Sequence, residues 1–421
     1  MKIKLSILIA LFFIVFFVFK KNYSQDSLSA FSITVENDLN EERTDEIVEI
    51  NIKDLKAKYP GFNVNAFLVK EGEKEIPSQL EDINGDGKND KILFLASFKP
   101  NETKKIEINF SEPGKIKKEY PKRTQAQLGV KKDYQLKNGY YTGGKFENAD
   151  SAVVPKDHFA HDALYRFEGP GWESDLVAYR FYLDSRNRTD IFGKKTNELV
   201  LQKVGVNDLV SDSKETYTQM LDWGMDIFKV GETLGIGSFA AWIDGKVLTV
   251  SDVEKITAKI SVDGIIRSDV YTKYLNWKIN NKTTDLFSNL SISAGSRLTK
   301  VNLNLSNPVE MCAGLAKHEN TNFITSNDNE LQFGYIGLYG SQSLSGDSLG
   351  IALFYKKNDL NKVTEDSLSN IVVFKKDKKN IEYYFAAAWQ SEPDGITSQR
   401  DFKKYLHETA LKLDHPLKIK L

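Results

Sequence analysis

The chain has 421 residues, 41% of them hydrophobic and 27% charged, enough for one or two packed cores and too apolar for a disordered chain. Its 57 basic and 58 acidic residues leave a formal net charge of -1. No basic run is long enough to track a phosphate backbone, which makes nucleic acid a poor partner and leaves a neutral or small-molecule chemistry to be found.

The N-terminus reads MKIK, then a run from Leu5 to Phe19 that is apolar except for Ser6, then Lys20 and Lys21. This is the pattern of a secretory signal over residues 1–25, which predicts an exported, periplasmic protein. The run falls short of the roughly 20 apolar residues that a comfortable span needs, so no stable membrane partner is expected, with an uncleaved anchor as the alternative. Cys312 is the only cysteine, so no internal disulfide forms, and its expected role is that of a small buried apolar residue.

Residues 26–112 carry short alternating segments such as IVEINI and VNAFLV, and Ile106, Ile108 and Phe110 alternate with Glu107 and Asn109. The pattern predicts a small immunoglobulin-like β-sandwich. Within it lies DINGDGKND, where Asp82, Asn84, Asp86 and Asp90 have a spacing that could wrap a structural calcium ion. Leu93 stands where a helix-loop-helix calcium site needs its last Glu, and the Asn-Gly and Asp-Gly pairs favour a tight hairpin turn over the metal site. Residues 113–123 read as a linker into a large domain over 124–421.

The segment from Asp157 to Lys194 is denser in polar and aromatic groups than a strand pair requires. It alternates only from Val177 to Leu183, placing Arg180 and Tyr182 on one side and Val177, Tyr179, Phe181 and Leu183 on the other. Further on, Leu275, Trp277 and Ile279, then Leu290, Ile292 and Ala294, then Val301, Leu303 and Leu305 alternate with polar neighbours. A helix is predicted over Gln399–Leu413, with Ser398 as N-cap, Asp401 in the first turn and Pro416 beyond its end. The fold is therefore predicted as mainly β: the small sandwich followed by a large antiparallel sandwich of the mutarotase-like kind, with a short C-terminal helix.

Three clusters could line a groove on such a sheet. The first is the central segment with His158, His161, Tyr165, Arg166, Trp172, Glu173, Arg180 and Tyr182. The second holds Tyr217, Trp223, Asp226 and Lys229, followed by the turn glycines of GETLGIG; the third is Lys317, His318 and Glu319. Trp172 and Trp223 offer flat platforms of the kind sugars stack on, with partial burial in a core as the duller role. His158 and His161 with Asp162 or His318 could bind a metal, against the simpler reading of two ordinary histidines. The arginines could equally be salt-bridged to their acidic neighbours. No HExxH, G-x-S-x-G, phosphate-loop or nucleotide motif is present.

The stretch HDALYRFEGPGWESDLVAYRFYLDSRNRTDIFGKK, with LDWGMDIFKVGETLGIG and DINGDGKNDKILF, resembles a Bacteroidetes family known as a domain of unknown function and encoded in polysaccharide-utilisation loci. The likeness covers nearly all of the mature chain. It implies an oligosaccharide dehydratase of ulvan breakdown, which removes water from the uronic acid at the non-reducing end and leaves a 4,5-unsaturated uronyl residue. That chemistry needs a cation on the uronate carboxylate, a base for the C5 proton and an acid for the departing 4-hydroxyl, but no redox cofactor. Arg166 or Arg180 would neutralise the carboxylate, and His161 and Tyr165 would move protons, with His158 and His318 as substitutes. Trp172, Glu173, Tyr182, Trp223 and Lys317 would contact the uronic-acid oligosaccharide. A polysaccharide lyase, which expels a sugar instead of water, and a non-catalytic glycan-binding protein are the competing expectations.

Overall fold

The computed structural model describes residues 29–421 apart from 84, 113, 115, 117, 207–215, 327 and 329. The expected export signal and Asn84 of the acidic loop lie outside the described residues. The protein is mainly β, in two unequal sandwiches.

In the small sandwich, a five-stranded sheet (Ser29–Glu36, Phe67–Glu71, Lys74–Ile76, Thr103–Phe110 and Lys418–Lys420) faces a three-stranded one (Arg43–Asn51, Ser78–Glu81 and Lys91–Phe98). Alternate residues Ile33, Val35, Val48, Ile50, Phe94, Ile106 and Ile108 fill the space between them. The chain's last strand therefore leaves the large domain to which its position assigns it. It pairs Thr34 with Lys420, and Leu417, Ile419 and Leu421 pack against the small core. A short helix, Ile52–Lys58, also escapes the alternation rule because it buries only Ile52 and Leu55.

The acidic loop closes on itself. Asp82 accepts the backbone N–H groups of Gly85 and Asp86 on one carboxylate oxygen and of Gly87 on the other, and Asp90 accepts from Ile83. The Asp82 and Asp90 carboxylates thus accept the N–H groups of the hairpin turn, as the Asn-Gly and Asp-Gly pairs favour. Among the described residues no group of three His, Cys, Asp or Glu side chains is placed to hold a metal ion.

The large sandwich is built on a nine-stranded antiparallel sheet running, in spatial order, through Ser151–Val153, Lys255–Asp263, Arg267–Ile279, Lys282–Ser293, Leu298–Leu305, Asn380–Trp389, Ser348–Lys356, Phe333–Ser341 and Thr321–Thr325. Two five-stranded sheets form the opposite layer. Their inner faces bury one continuous apolar core, including Trp172, Tyr179, Ile191, Phe239, Val270, Leu286, Val301 and Phe385. The long strand Arg267–Ile279 carries a bulge between Tyr274 and Trp277, with Asn276 at a φ of 49°. The inward set changes there from Val270, Thr272 and Tyr274 to Trp277 and Ile279. Leu275, expected on the same face as Trp277, is consequently only half-buried.

The C-terminal helix spans Gln399–Asp414, and the Ser398 hydroxyl accepts the Asp401 N–H at 3.1 Å. It lies on the outer face of the nine-stranded sheet, burying Phe402, Leu406 and Ala410. Gly350 makes that approach feasible: a Cβ there would lie 2.4 Å from the Phe402 ring. Among the described residues no helix is long and apolar enough to cross a membrane.

Because Phe402 is fully buried between helix and sheet, Phe402→Ala is expected to cost about 3–5 kcal/mol, read as a lowered urea midpoint. Replacing exposed Arg400 on the same helix should leave the midpoint within about 0.5 kcal/mol of the parent.

Candidate active site

One of the two smaller sheets of the large sandwich has an unusual outer face. Its strands are β1 (Thr124–Gln127), β2 (Gly171–Ser174), β3 (Ala178–Phe181), β4 (Thr189–Lys194) and β5 (Gly224–Asp226), in the order β5-β4-β3-β2-β1. Ala126, Trp172, Tyr179, Phe181, Ile191 and Met225 point into the core. The pleat then sends Gln125, Gln127, Glu173, Arg180, Asp190, Lys194 and Asp226 to the opposite face. That face is not solvated: Phe167, Val200, Leu201, Val204, Tyr217 and Trp223 pack over it with Ala178 and Phe192.

Arg180 is the centre of this buried polar layer. β3 and β4 form a hairpin in which Arg180 stands opposite Asp190. The Arg180 guanidinium donates to Asp190 from Nε at 3.0 Å and from Nη2 at 2.5 Å, to Asp226 at 2.5 Å, to the Tyr217 hydroxyl at 3.0 Å and to the Tyr182 hydroxyl at 3.1 Å. The Tyr182 hydroxyl in turn donates to Asp190. Burial, and then the neighbouring Asp190, push the Asp226 carboxyl up to about 7 despite the pull of Arg180. A second charged set continues outward: Glu168 lies 3.9 Å from Arg180 and pairs with Arg186, which also holds Asp184 at 2.6 Å.

At the outer end of that chain stands His161, whose side chain is 69% exposed and whose Nδ1 is 3.3 Å from Glu168. Burial of part of the ring, followed by the charges of Arg186 and Arg180, lowers its pKa below the ordinary 6.5. His158 has the same kind of support, with Nδ1 2.7 Å from Asp162, but its side chain is only 3% exposed and its buried Nε2 has no partner among the described residues. The backbone here is strained: His161, Ala163, Phe167 and Glu168 all have φ between 45° and 72°. Non-glycine residues held in this region cost energy, and such positions cluster at functional sites. Both members of the His161–Glu168 pair are among them.

Arg166, like Arg188, which donates to the Thr233 carbonyl, differs from Arg180 and Arg186. It is 6% exposed and donates only to neutral groups, the side-chain oxygens of Gln127 and Asn148. It has no carboxylate partner among the described residues, and burial pushes its guanidinium down to about 10. Gly205 connects it to the Arg180 layer, because a Cβ at that glycine would touch both Arg166 and Tyr217 at 3.2–3.4 Å. Next to it, the Tyr165 ring stands perpendicular to His158 at 5.0 Å, and burial raises its hydroxyl well above the ordinary range, so it keeps its proton.

A family of proteins described as a domain of unknown function, DUF4861, matches residues 35–419. The chain belongs to the DUF4861 family. It is similar over 418 residues, at 24% identity, to a Formosa agariphila protein named uncharacterized protein P7, covering 92% of this chain and 93% of that one. Two solved structures from Enterococcus faecalis are alike in shape. One is an alpha-mannosidase (8% identity, TM-score 0.44) and the other a protein in glycosyl hydrolase family 38 (9% identity, TM-score 0.46), each matching 93% of this chain. The chain spans about half the length of these two, 46% and 47%.

In this DUF4861 chain Glu168 links His161 to Arg180 and Tyr182, while His158 packs on Tyr165 and Arg166 bonds Gln127 and Asn148; several expected contacts are not made. Trp172 is wholly buried and donates its indole N–H to Thr299 at 2.9 Å, so it is core and not a platform. Trp223 is covered too, packing edge-on against Phe192. Glu173 forms a buried ion pair with Lys194 at 2.8 Å and accepts the Val200 and Leu201 N–H groups, holding the covering loop instead of a sugar. His318 bonds the Lys229 carbonyl at 2.8 Å and packs on Phe228, and Lys317 pairs with Glu365 at 3.0 Å; both follow the strand Met311–Ala316 of the neighbouring sheet. Cys312 is fully buried, as its apolar role requires. Asp226, read with the second cluster, joins the Arg180 layer, and Glu168, Arg186 and Asp190 are members to which sequence reasoning gave no role in the site.

Arg180→Met should destabilise the fold by about 3–5 kcal/mol, since Asp190 and Asp226 would be left buried without their cation. The Asp226 carboxyl is raised in the folded state from 3.8, so its contribution is full below pH 3.8 and lost as pH rises through about 7. Asp226→Asn is therefore expected to flatten the decline of the urea midpoint between pH 4 and pH 8.

Proposed function

We propose that the protein is a carbohydrate-active hydro-lyase, removing one water from the uronic acid at the non-reducing end of ulvan-type oligosaccharides. The observation that carries this reading is the Glu168–His161 pair. Its carboxylate stands 3.3 Å from Nδ1, the imidazole side chain is mostly exposed, and the backbone of both residues is held at positive φ.

In the proposed reaction Arg166 receives the uronate carboxylate, for which an uncommitted guanidinium is better suited than Arg180, already saturated by Asp190 and Asp226. His161, neutral near pH 7 because its pKa is lowered, takes the C5 proton on Nε2. The C5–H electron pair becomes the C4–C5 double bond, and the C4–O bond breaks. Tyr165 is buried as deeply as His158 and holds its proton, so the departing 4-hydroxyl takes a proton from solvent on the open side of His161 and leaves as water. The C5 proton held by His161 then returns to solvent. Carbon, hydrogen and oxygen balance as substrate minus one water, and no oxidant or reductant enters. The expected export signal suits a periplasmic site of action.

Uronate-terminated oligosaccharides incubated with the protein should develop the ultraviolet absorbance of a conjugated carboxylate. Their mass should fall by one water with chain length unchanged; shortening would instead identify a polysaccharide lyase. His161→Ala is expected to lower kcat about 10²–10⁴-fold, and Arg166→Gln to lower kcat/KM by a comparable factor, with both variants keeping the parent's urea midpoint within about 1 kcal/mol. Since the base works unprotonated, kcat/KM should fall as pH drops, with its midpoint below 6.5. No absorbance with ulvan, pectic and glycosaminoglycan fragments alike removes the dehydratase reading.

A further inference from the structure

The nine-stranded sheet turns one face to the core, and its other face carries a second polar surface that the reaction above does not use. Two cavities, of about 420 and 860 Å³, meet on it and share Tyr271, Asn289 and Asn302. The larger begins between the small sandwich and the C-terminal helix, where Glu49, Glu81, Arg267 and Tyr405 line it. The smaller carries the depression onward to Phe287, Asn304 and Asn380.

Strand register aligns these side chains in rows across the sheet. Tyr271 stands opposite Asn289, Asn289 opposite Asn302, and Asn302 opposite Glu382. One step along, Lys273 stands opposite Phe287, Phe287 opposite Asn304, and Asn304 opposite Asn380. Asparagine is disfavoured in strands, so four of them in adjacent register are not explained by the needs of the sheet. The Tyr271 and Phe287 rings are nearly parallel, 19° apart with centroids at 6.4 Å, and are only partly buried. Charges on the face are largely satisfied: Glu382 holds both Lys300 and Lys356 at 2.7 Å. Asp269 takes Asn289 at 3.0 Å and Ser291 at 2.6 Å. The Asn302 amide has no hydrogen-bond partner among the described residues.

We infer that this furrow is a second, non-catalytic binding site for an extended polysaccharide chain. The Asn302 amide, with the atoms of Asn304 and Asn380 left over from their bond to each other, would take sugar hydroxyls, and its Tyr271–Phe287 pair would take the apolar face of a ring. A row over four strands about 4.8 Å apart is roughly 14 Å long, room for two or three consecutive sugar rings. The paired charges make hydroxyl groups, not sulfates or carboxylates, the recognised feature. The site faces away from His161 and Arg166, so it holds polymer without competing for the reacting end.

The test is electrophoresis of the full chain in native gels containing ulvan, polygalacturonate or xyloglucan, with parent, Tyr271→Ala, Asn302→Ala and Arg166→Gln run together. Expected is retardation of the parent by at least one polymer, weakened about tenfold in apparent affinity by Tyr271→Ala and less by Asn302→Ala. Arg166→Gln, which tests the other site, should be retarded like the parent. Far-ultraviolet circular dichroism confirms folding, and Asn302→Ala serves if Tyr271→Ala does not fold. Equal mobility in all polymers overturns the inference, as does retardation lost in Arg166→Gln but kept in the furrow variants. A parent that sediments as a dimer and dissociates on Tyr271→Ala also overturns it, by assigning the face to a second copy of the chain.

Discussion

The contact on which the site depends is the one between Arg180 and its two carboxylates. Desolvating a guanidinium or a carboxylate alone is prohibitive, and the pair is tolerable only when nearly every donor and acceptor is matched. Here Arg180 donates to Asp190, Asp226, Tyr217 and Tyr182, drawing on β3, β4, β5 and the covering loop at once. Such a layer adds little net stability over an apolar one of the same shape. It does fix the register of the three strands and the position of Tyr217, since any slip leaves a buried charge unpaired.

From that fixed layer the charges step outward in alternation, through Glu168 and Arg186 to Asp184 and His161. The rim therefore inherits its geometry from the floor. The strained turn from His161 to Glu168 persists because it is clamped at both ends: Asp162 accepts the Leu164 N–H at 2.9 Å, and the Leu183 N–H bonds the Glu168 carbonyl at 3.0 Å. Gly169 completes the clamp, where a side chain would meet the Phe181 carbonyl at 2.0 Å.

What the sequence made legible was whatever rested on period and local chemistry. The alternation from Val177 to Leu183 placed Arg180 and Tyr182 away from the apolar side, and Ser398 with Asp401 marked the helix start. The hairpin could have yielded one step more. Its turn, with Asn187 at a φ of 51° and its N–H bonded to Asp184, centres the register so that Arg180 meets Asp190. Asp226 was legible as a charged residue but not as a partner, because nothing local says which strand lies beside β4. The tryptophans misled for a related reason. Trp172 follows the apolar period of β2 into the core, yet its neighbours Gly171 and Glu173 look like loop. The bulge at Asn276 and the return of the C-terminal strand to the small sandwich are long-range outcomes that a period of two cannot contain.

The two histidines of the rim show why support and exposure must be weighed together. Each has a carboxylate beside Nδ1, which selects the tautomer with its lone pair on Nε2. A base that takes a carbon-bound proton must also lose it again before the next turnover. At 3% exposure His158 has neither room for a sugar ring at Nε2 nor a path for that proton, whereas His161 at 69% has both. His158 instead packs edge-on against Tyr165 and, through Asp162, fixes the turn on which His161 stands. In the proposed reaction, therefore, the buried histidine positions and the exposed one reacts, although on spacing and neighbours the two were equal.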